Sequence, residues 1–424
     1  MTDICVIVPT VREPECVRAY VENARDHGFD TERLTFLLVT EEFCDVAGME
    51  AMLGDLDVDG EVFDGPRREA WFEARGLEEY ADLIPAASHA ETSFGLLYLW
   101  AGDYEYGFLV DDDTLPHDEY DFFGRHLRNL AFEGELESVA SDERWVNVLY
   151  QSADEHGLYP RGYPYGAMDE TVETEPVEVD DVVASQGLWT NVPDLDAVRI
   201  LMDGDLQGQA RTRTSAADFG NDFVAARGNY LTVCSMNLAF RREIVPAFYQ
   251  LPMDDNEWDV GRFDDIWSGV FLKRACDVLG KRIYNGAPLC EHNKAPRSTF
   301  SDLHNEVAGL ELNEHLWEII DGVGPTDRRD GPAVESSERA ELSRDDGRRE
   351  APSEPPRDGV GADADSYAGV FEAMGEALAE GEFEEYTNGA FLNHVGEAML
   401  EWLDCLAAIE AGDRAVPEAE VTAD

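Results

Sequence analysis

Phe108-Leu109-Val110-Asp111-Asp112-Asp113 decides how the rest of the chain is read. An apolar run passes directly into three consecutive acids, and Pro116 follows. Such a run predicts a buried strand whose polar tip carries chemistry. In an extended chain, alternation puts Asp111 and Asp113 on the same side. Two converging carboxylates make a hard-oxygen site for Mg²⁺ or Mn²⁺ with positions left for phosphate oxygens. The competing reading is a solvated Asp-rich turn, and in a chain this acidic such triplets also arise by chance.

Composition sets the background. The 424 residues hold 91 Asp plus Glu against 32 Lys plus Arg, a formal charge of -59. That charge repels itself in dilute buffer, whereas at molar salt the screening length falls to about 3 Å. A cytoplasm of very high salt, as in a halophile, is the expectation. With 44% hydrophobic residues the chain can build a large core. The same field disfavours nucleic acid and anionic membranes as partners. Cys5, Cys16, Cys44, Cys234, Cys276, Cys290 and Cys405 are odd in number and form no Cys-x-x-Cys pair. They read as reduced, mostly core residues rather than a disulfide framework or a zinc site. Met-Thr-Asp leads straight into a strand pattern with no signal peptide, and no apolar run reaches the roughly 18 residues of a membrane span. A soluble, cytoplasmic protein is expected.

Ile4 to Val8 read as a short buried strand closed by Pro9-Thr10, with Arg12 just beyond. Phe36 to Val39 read as a second strand, ending at Thr40-Glu41-Glu42. Helical spacing runs over Arg18 to His27 and Arg67 to Tyr80. This alternation predicts an α/β fold, a largely parallel sheet with helices on both faces. Ligands of such sheets sit beyond the carboxyl ends of the strands. Thr10, Arg12, Thr40 and Asp111 to Asp113 all fall at such ends.

The second half supplies further candidates. Tyr159-Pro160-Arg161-Gly162-Tyr163-Pro164 is a rigid loop holding one arginine, or a structural turn with a surface arginine. Ser185 to Ala197 contains Gly187, Trp189 and Pro193, which fit a substrate-facing loop or a packed turn equally well. Leu231 to Phe240, with Asn237, reads as a buried strand interrupted by small and polar residues. Asp264 and Asp265 open a helix, either as dipole-favoured caps or with one facing a sugar. After a strand-like segment, His292 is a candidate third metal ligand or a structural histidine, and Lys294 a phosphate partner. Residues 321–365 lose almost all large apolar side chains and read as a disordered linker or insertion. Residues 366–412 return to helical periodicity, and 413–424 read as a flexible tail. The apolar faces of that helical element are expected to pack on the main domain or on another subunit, giving a homo- or hetero-oligomer.

Taken in order, these blocks carry a family resemblance. Val8-Pro9-Thr10 with Arg12, the three acids, Arg161-Gly162-Tyr163-Pro164, Gly187-Leu188-Trp189 and Pro193 to Ala197 come first. Met236-Asn237-Leu238-Ala239-Phe240, Gly261 to Trp267, and His292 with Lys294 follow. The chain resembles the reversibly glycosylated polypeptide family, which includes the plant UDP-arabinopyranose mutases. Two positions depart from that pattern: Gln186 stands where a histidine is expected, and Glu91-Thr92 where plant members carry a cysteine-arginine pair.

The resemblance implies a GT-A-type, Rossmann-like nucleotide-sugar domain over residues 1–320, a UDP-sugar substrate and a divalent cation. It implies a metal set of Asp111, Asp113 and His292, and substrate contacts from Thr10, Arg12, Thr40, Asp111, Asp112, Trp189, Asn237 and Lys294. It also implies that Arg161 is reversibly glycosylated. A guanidinium is ordinarily protonated and a poor nucleophile, so such a step needs a carboxylate, Asp264 or Asp265, to take the proton. The alternative role for Arg161 is to neutralise the leaving diphosphate. Three activities stay open on the sequence: a UDP-sugar pyranose/furanose mutase, a glycosyltransferase or self-glycosylating primer, and a non-catalytic scaffold. The transferase and primer readings belong to cell-surface or N-linked glycan synthesis, with the protein peripheral to membrane-bound machinery.

Overall fold

The N-terminal third alternates strand and helix as its pattern demands. β1 (Ile4–Pro9), α1 (Glu15–Asp26), β2 (Leu34–Val39), α2 (Val46–Leu56), β3 (Asp59–Phe63), α3 (Gly65–Glu73), α4 (Thr92–Ala101) and β4 (Tyr106–Val110) follow one another. The computed structural model describes residues 2–86, 88–152, 157–168, 170–253, 256–323 and 365–415. Within β1, Ile4, Val6 and Val8 join one hydrophobic core while Cys5 and Ile7 join the other. Phe108 and Val110 of β4 likewise face the first core, and Leu109 the second. This two-residue alternation of an apolar strand is what places helices on both faces of the sheet.

Past β4 come β5 (Thr114–Pro116), α5 (Phe122–Leu130), β6 (Gly134–Ser141), β7 (Trp145–Val146), β8 (Val172–Val179) and β9 (Val182–Asn191). The chain continues through α6 (Ala197–Asp203), β10 (Phe223–Ala225), β11 (Tyr230–Leu231), β12 (Asn237–Arg241), α7 (Asp264–Leu279), β13 (Arg282–His292) and α8 (Thr299–Asp321). The main sheet runs β3-β2-β1-β4-β12-β9-β13-β10-β6-β8, and β5 pairs with β13. β3, β2, β1 and β4 are mutually parallel, while β12 lies antiparallel between β4 and β9. β13 is parallel to β9. The carboxyl ends of β1, β4, β9 and β13, and the start of β12, therefore share one edge. A parallel Rossmann-like half that carries its acidic tip up to an antiparallel strand is the GT-A-type α/β arrangement expected above.

Two helices, α9 (Tyr367–Ala379) and α10 (Ala390–Ala415), follow. Their apolar faces meet the main core. Trp402 stacks on Tyr249 at 4.7 Å, Phe391 lies 6.0 Å from Trp267, and Phe371 lies against Phe271. A fully buried tryptophan of this kind is worth about 3–5 kcal/mol against truncation. Between the two halves, Lys273 and Asp277 form a buried pair at 2.6 and 2.7 Å inside α7. The linker expected over 321–365 lies outside the described residues from 324 to 364, as does the expected tail from 416 onward. No helix among the described residues is long and apolar enough to cross a membrane.

Candidate functional site

The acids do not continue β4 as an extended tip. The amide of Thr114 donates to the carbonyl of Asp111 at 3.1 Å, closing a turn between β4 and β5. Alternation therefore ends at Val110, and the three carboxylates fan out to three partners. Asp112 accepts from Thr10 Oγ1 at 2.8 Å and from Arg12 Nε and Nη2 at 2.9 and 2.6 Å. Asp111 faces His89 Nε2 at 3.7 Å, and Asp113 faces His292 Nε2 at 3.7 Å. Asp111 and Asp113 thus take different imidazole partners.

Pairing of β5 with β13 sets His292 opposite Thr114, which brings the imidazole to the turn. His292 Nδ1 lies 2.7 Å from the Val192 carbonyl. A proton donated there leaves the Nε2 lone pair toward Asp113, the orientation that metal-ligating histidines adopt. Burial raises the Asp113 carboxyl above its ordinary range; His292 opposes this and the neighbouring Asp111 and Asp112 add to it. A buried carboxylate crowded by like charge and facing an imidazole lone pair fits a hard cation. Still, no group of three His, Cys, Asp or Glu among the described residues is gathered closely enough to hold one. Asp111 is turned toward His89 instead.

Arg161 forms the second half of the site. It sits in a turn in which Gly162 has φ +84, and a Cβ on Gly162 would run into Ile266 at the start of α7. Only glycine lets the loop lie that close. The Arg161 side chain is 11% exposed. Its Nε donates to Asp194 Oδ2 at 3.0 Å, and its Nη1 to the Arg262 carbonyl and to Asp265 Oδ1 at 3.3 Å. Nη2 donates to Asp265 Oδ2 at 3.2 Å. Burial disfavours the guanidinium charge, but Asp194 and Asp265 outweigh it and hold the pKa well above the ordinary value.

Asp264 and Asp265 lie in the first turn of α7, whose N-cap is Phe263 with no side-chain cap bond. They therefore do not act as caps. Asp264 accepts from His89 Nδ1 at 2.9 Å while Asp265 faces Arg161. Burial raises both carboxyls; for Asp264 the charge of His89 wins and the net direction is down, whereas Asp265 stays raised. Lys294 Nζ stands 3.9 Å from Asp194 Oδ1, and burial lowers its pKa. Lys294 thus joins the Arg161 cluster through Asp194.

Two expected substrate contacts are corrected. Trp189 is 1% and Asn237 0% exposed, so neither presents a surface to a ligand. Asn237 accepts from His126 Nε2 at 2.9 Å and donates to the Pro288 carbonyl at 3.0 Å, bracing β12 against β13. The family resemblance implied a substrate contact for Asn237, but in the fold it serves close strand approach. Gln186 is also buried: it donates to Asn285 at 2.9 Å and accepts from the Cys234 amide. It lies in the core between β9 and β13. Thr40 is buried, and its Oγ1 has no partner among the described residues.

Sequence reasoning missed His89, Asp194 and Arg68. Arg68 donates to the Thr40 carbonyl at 2.6 Å and stands 3.4 Å from both Glu41 and Glu91. For Asp194 a signal existed, since it lies within the Pro193 to Ala197 block. His89 and Arg68 carried none: their partners lie 175 and 23 to 28 residues away.

The site therefore belongs to an α/β protein whose acidic turn and buried arginine lie at one end of the sheet. The family profile "Reversibly glycosylated polypeptide" matches residues 84–328, more than half of the chain, and the chain belongs to this family. UDP-arabinopyranose mutase 1 of Arabidopsis thaliana is 31% identical over 218 residues, covering 50% of this chain and 54% of that protein. UDP-arabinopyranose mutase 1 of Oryza sativa subsp. japonica is 30% identical over 218 residues, covering 50% and 53%. The chain spans about half the length of the curated relatives it matches. Among solved structures, a mannosyltransferase from Pyrobaculum calidifontis in complex with GDP-Man and Mn²⁺ aligns over 97% of this chain and 86% of its own. That likeness is distant, at 13% identity and a TM-score of 0.34.

Proposed function

We propose that this chain is a UDP-sugar-dependent enzyme, a pyranose/furanose mutase of the UDP-arabinopyranose mutase type that is reversibly glycosylated on Arg161. The observation that carries the reading is the linkage of the two half-sites. His292, which faces Asp113, acts electrostatically on Asp194; Asp194 in turn holds Arg161 and stands 3.9 Å from Lys294, and Arg161 meets Asp265. Asp111 and Asp264 are joined through His89.

Thr10 and Arg12 would bind the uridine end, with Asp112 positioning both, and the buried Thr40 would shape the floor beneath them. Asp113 and His292 would hold a divalent cation, joined by Asp111 once its carboxylate turns from His89, with Mn²⁺ preferred to Mg²⁺ because one donor is an imidazole nitrogen. When bound there, such a cation would supply positive charge against the diphosphate. Lys294 adds positive charge at the phosphates. Arg161 captures the anomeric carbon with Asp264 or Asp265 as proton acceptor, the sugar ring opens and recloses through a different hydroxyl, and UDP returns. Arginine chemistry of this kind is confined by burial, which excludes competing water. The charge of -59 supports a high-salt cytoplasm as the working environment.

Incubation with UDP-arabinopyranose, UDP-galactose and UDP-glucose in molar KCl with Mn²⁺, resolved by chromatography, tests the reading. A furanose nucleotide is the expected product, and chelation by EDTA is expected to suppress it. Absence of both turnover and adduct across the three donors would overturn the proposal in favour of a scaffold. Transfer to an added acceptor without a furanose product would favour a glycosyltransferase.

A further inference from the structure

A guanidinium has five N–H groups: one on Nε and two on each Nη. In Arg161 four of them are engaged. Nε is held by Asp194, and both protons of Nη1 by the Arg262 carbonyl and Asp265 Oδ1. Nη2 spends one on Asp265 Oδ2 at 3.2 Å and keeps one with no partner among the described residues. The neighbouring acid is not equivalent, because Asp264 Oδ2 is committed to His89 at 2.9 Å.

We infer that Nη2 of Arg161 is the atom that bonds the anomeric carbon and that Asp265, not Asp264, takes its proton. The inference rests on the mutase reading above and resolves which atoms carry its covalent step. Asp265 Oδ2 removes the bound proton of Nη2, and the freed electron pair forms the Nη2–C1 bond. The C1–O bond to the diphosphate breaks, and UDP leaves with that electron pair. The arginine ends as a glycosylated guanidinium, Asp265 ends protonated, and the extra negative charge resides on UDP, so charge and atoms balance. Return of UDP to C1 reverses each movement. Asp194 is a positioning residue: by holding Nε it fixes the plane of the guanidinium and leaves Nη2 as the free corner. Asp264 belongs with His89 and Asp111, on the other side of the site.

The test is acid-quenched intact mass with peptide mapping on full-length protein given UDP-sugar in molar salt. Wild type is expected to gain one sugar on Arg161, and Asp265→Asn to lose at least 10-fold in adduct while still binding UDP in calorimetry. Asp265→Glu restores part of the adduct. Asp264→Asn turns over more slowly yet still accumulates adduct. Adduct persisting in Asp265→Asn, or lost in both acid variants, overturns the inference. A readout independent of variant folding is NMR of ¹⁵N-arginine-labelled wild-type adduct: sugar on an Nη nitrogen is expected, and sugar on Nε overturns it. Wild-type turnover with no adduct overturns the inference while leaving the mutase reading standing. Absence of turnover and adduct together removes the mutase reading first.

Discussion

Arg12 and Arg161 each grip carboxylates with more than one nitrogen, yet in different surroundings. Arg12 forks onto Asp112 with its side chain 49% exposed, whereas Arg161 sits between Asp194 and Asp265 with 11% exposed. Water screens the first pair and lets it exchange; the second has traded its water for fixed partners. The open pair suits a ligand that arrives and leaves, and the closed one suits chemistry that must stay in register.

Breaking the closed pair is expected to cost most. Arg161→Ala leaves two buried carboxylates facing each other's charge, a loss of about 3–5 kcal/mol in chemical denaturation at molar salt. Adduct formation should vanish with it. Asp194→Asn keeps the Asp265 contact, so a smaller loss of about 2 kcal/mol is expected, with kcat falling while the KM for UDP-sugar holds. An unchanged kcat would show that Asp194 does not orient Arg161.

Arg68 offers an intermediate case, one buried cation between Glu41 and Glu91. Burial pushes the Glu91 carboxyl up to about 9, and Glu41 adds to this while Arg68 opposes it. The folded chain therefore keeps this proton over neutral pH, while the unfolded chain releases it near about 4.3. The site's contribution is full at low pH and is lost as pH rises from about 5 through 9. Glu91→Gln should remove that slope, so that the variant gains on the parent between pH 6 and pH 9 in denaturation midpoints. A parallel pair of curves would defeat the assignment. Arg12→Ala is expected to change stability by no more than about 1 kcal/mol. Its effect should appear in calorimetry as weaker UDP binding, with kcat little altered.

Much of this was legible in the chain. The strand tips at Thr10, Thr40 and Asp111 announced themselves because apolar runs ending in polar residues are local signals. The sequence left the acids open between an extended tip and an Asp-rich turn, and the choice falls to the turn because the Thr114 amide closes onto the Asp111 carbonyl. Trp189 and Asn237 stood as site residues through the family blocks that contain them, but both lie in buried strands, and Gly187 is small so that β9, β12 and β13 can approach: a Cβ there would strike Asn237 and the Pro288 carbonyl. His89 and Asp264 meet across 175 residues, a pairing that periodicity cannot report.

The burial of cations has a practical side. The chain contains 29 arginines and only three lysines, Lys273, Lys281 and Lys294. Lys273 is enclosed with Asp277 and Lys294 beside Asp194, at 4% and 5% side-chain exposure, whereas Lys281 is partly exposed. Amine-directed reagents should therefore find a single reactive side chain on the folded protein, Lys281. Among side chains, a fluorophore or surface tether delivered as a succinimidyl ester would attach there, with the α-amino group as its competitor.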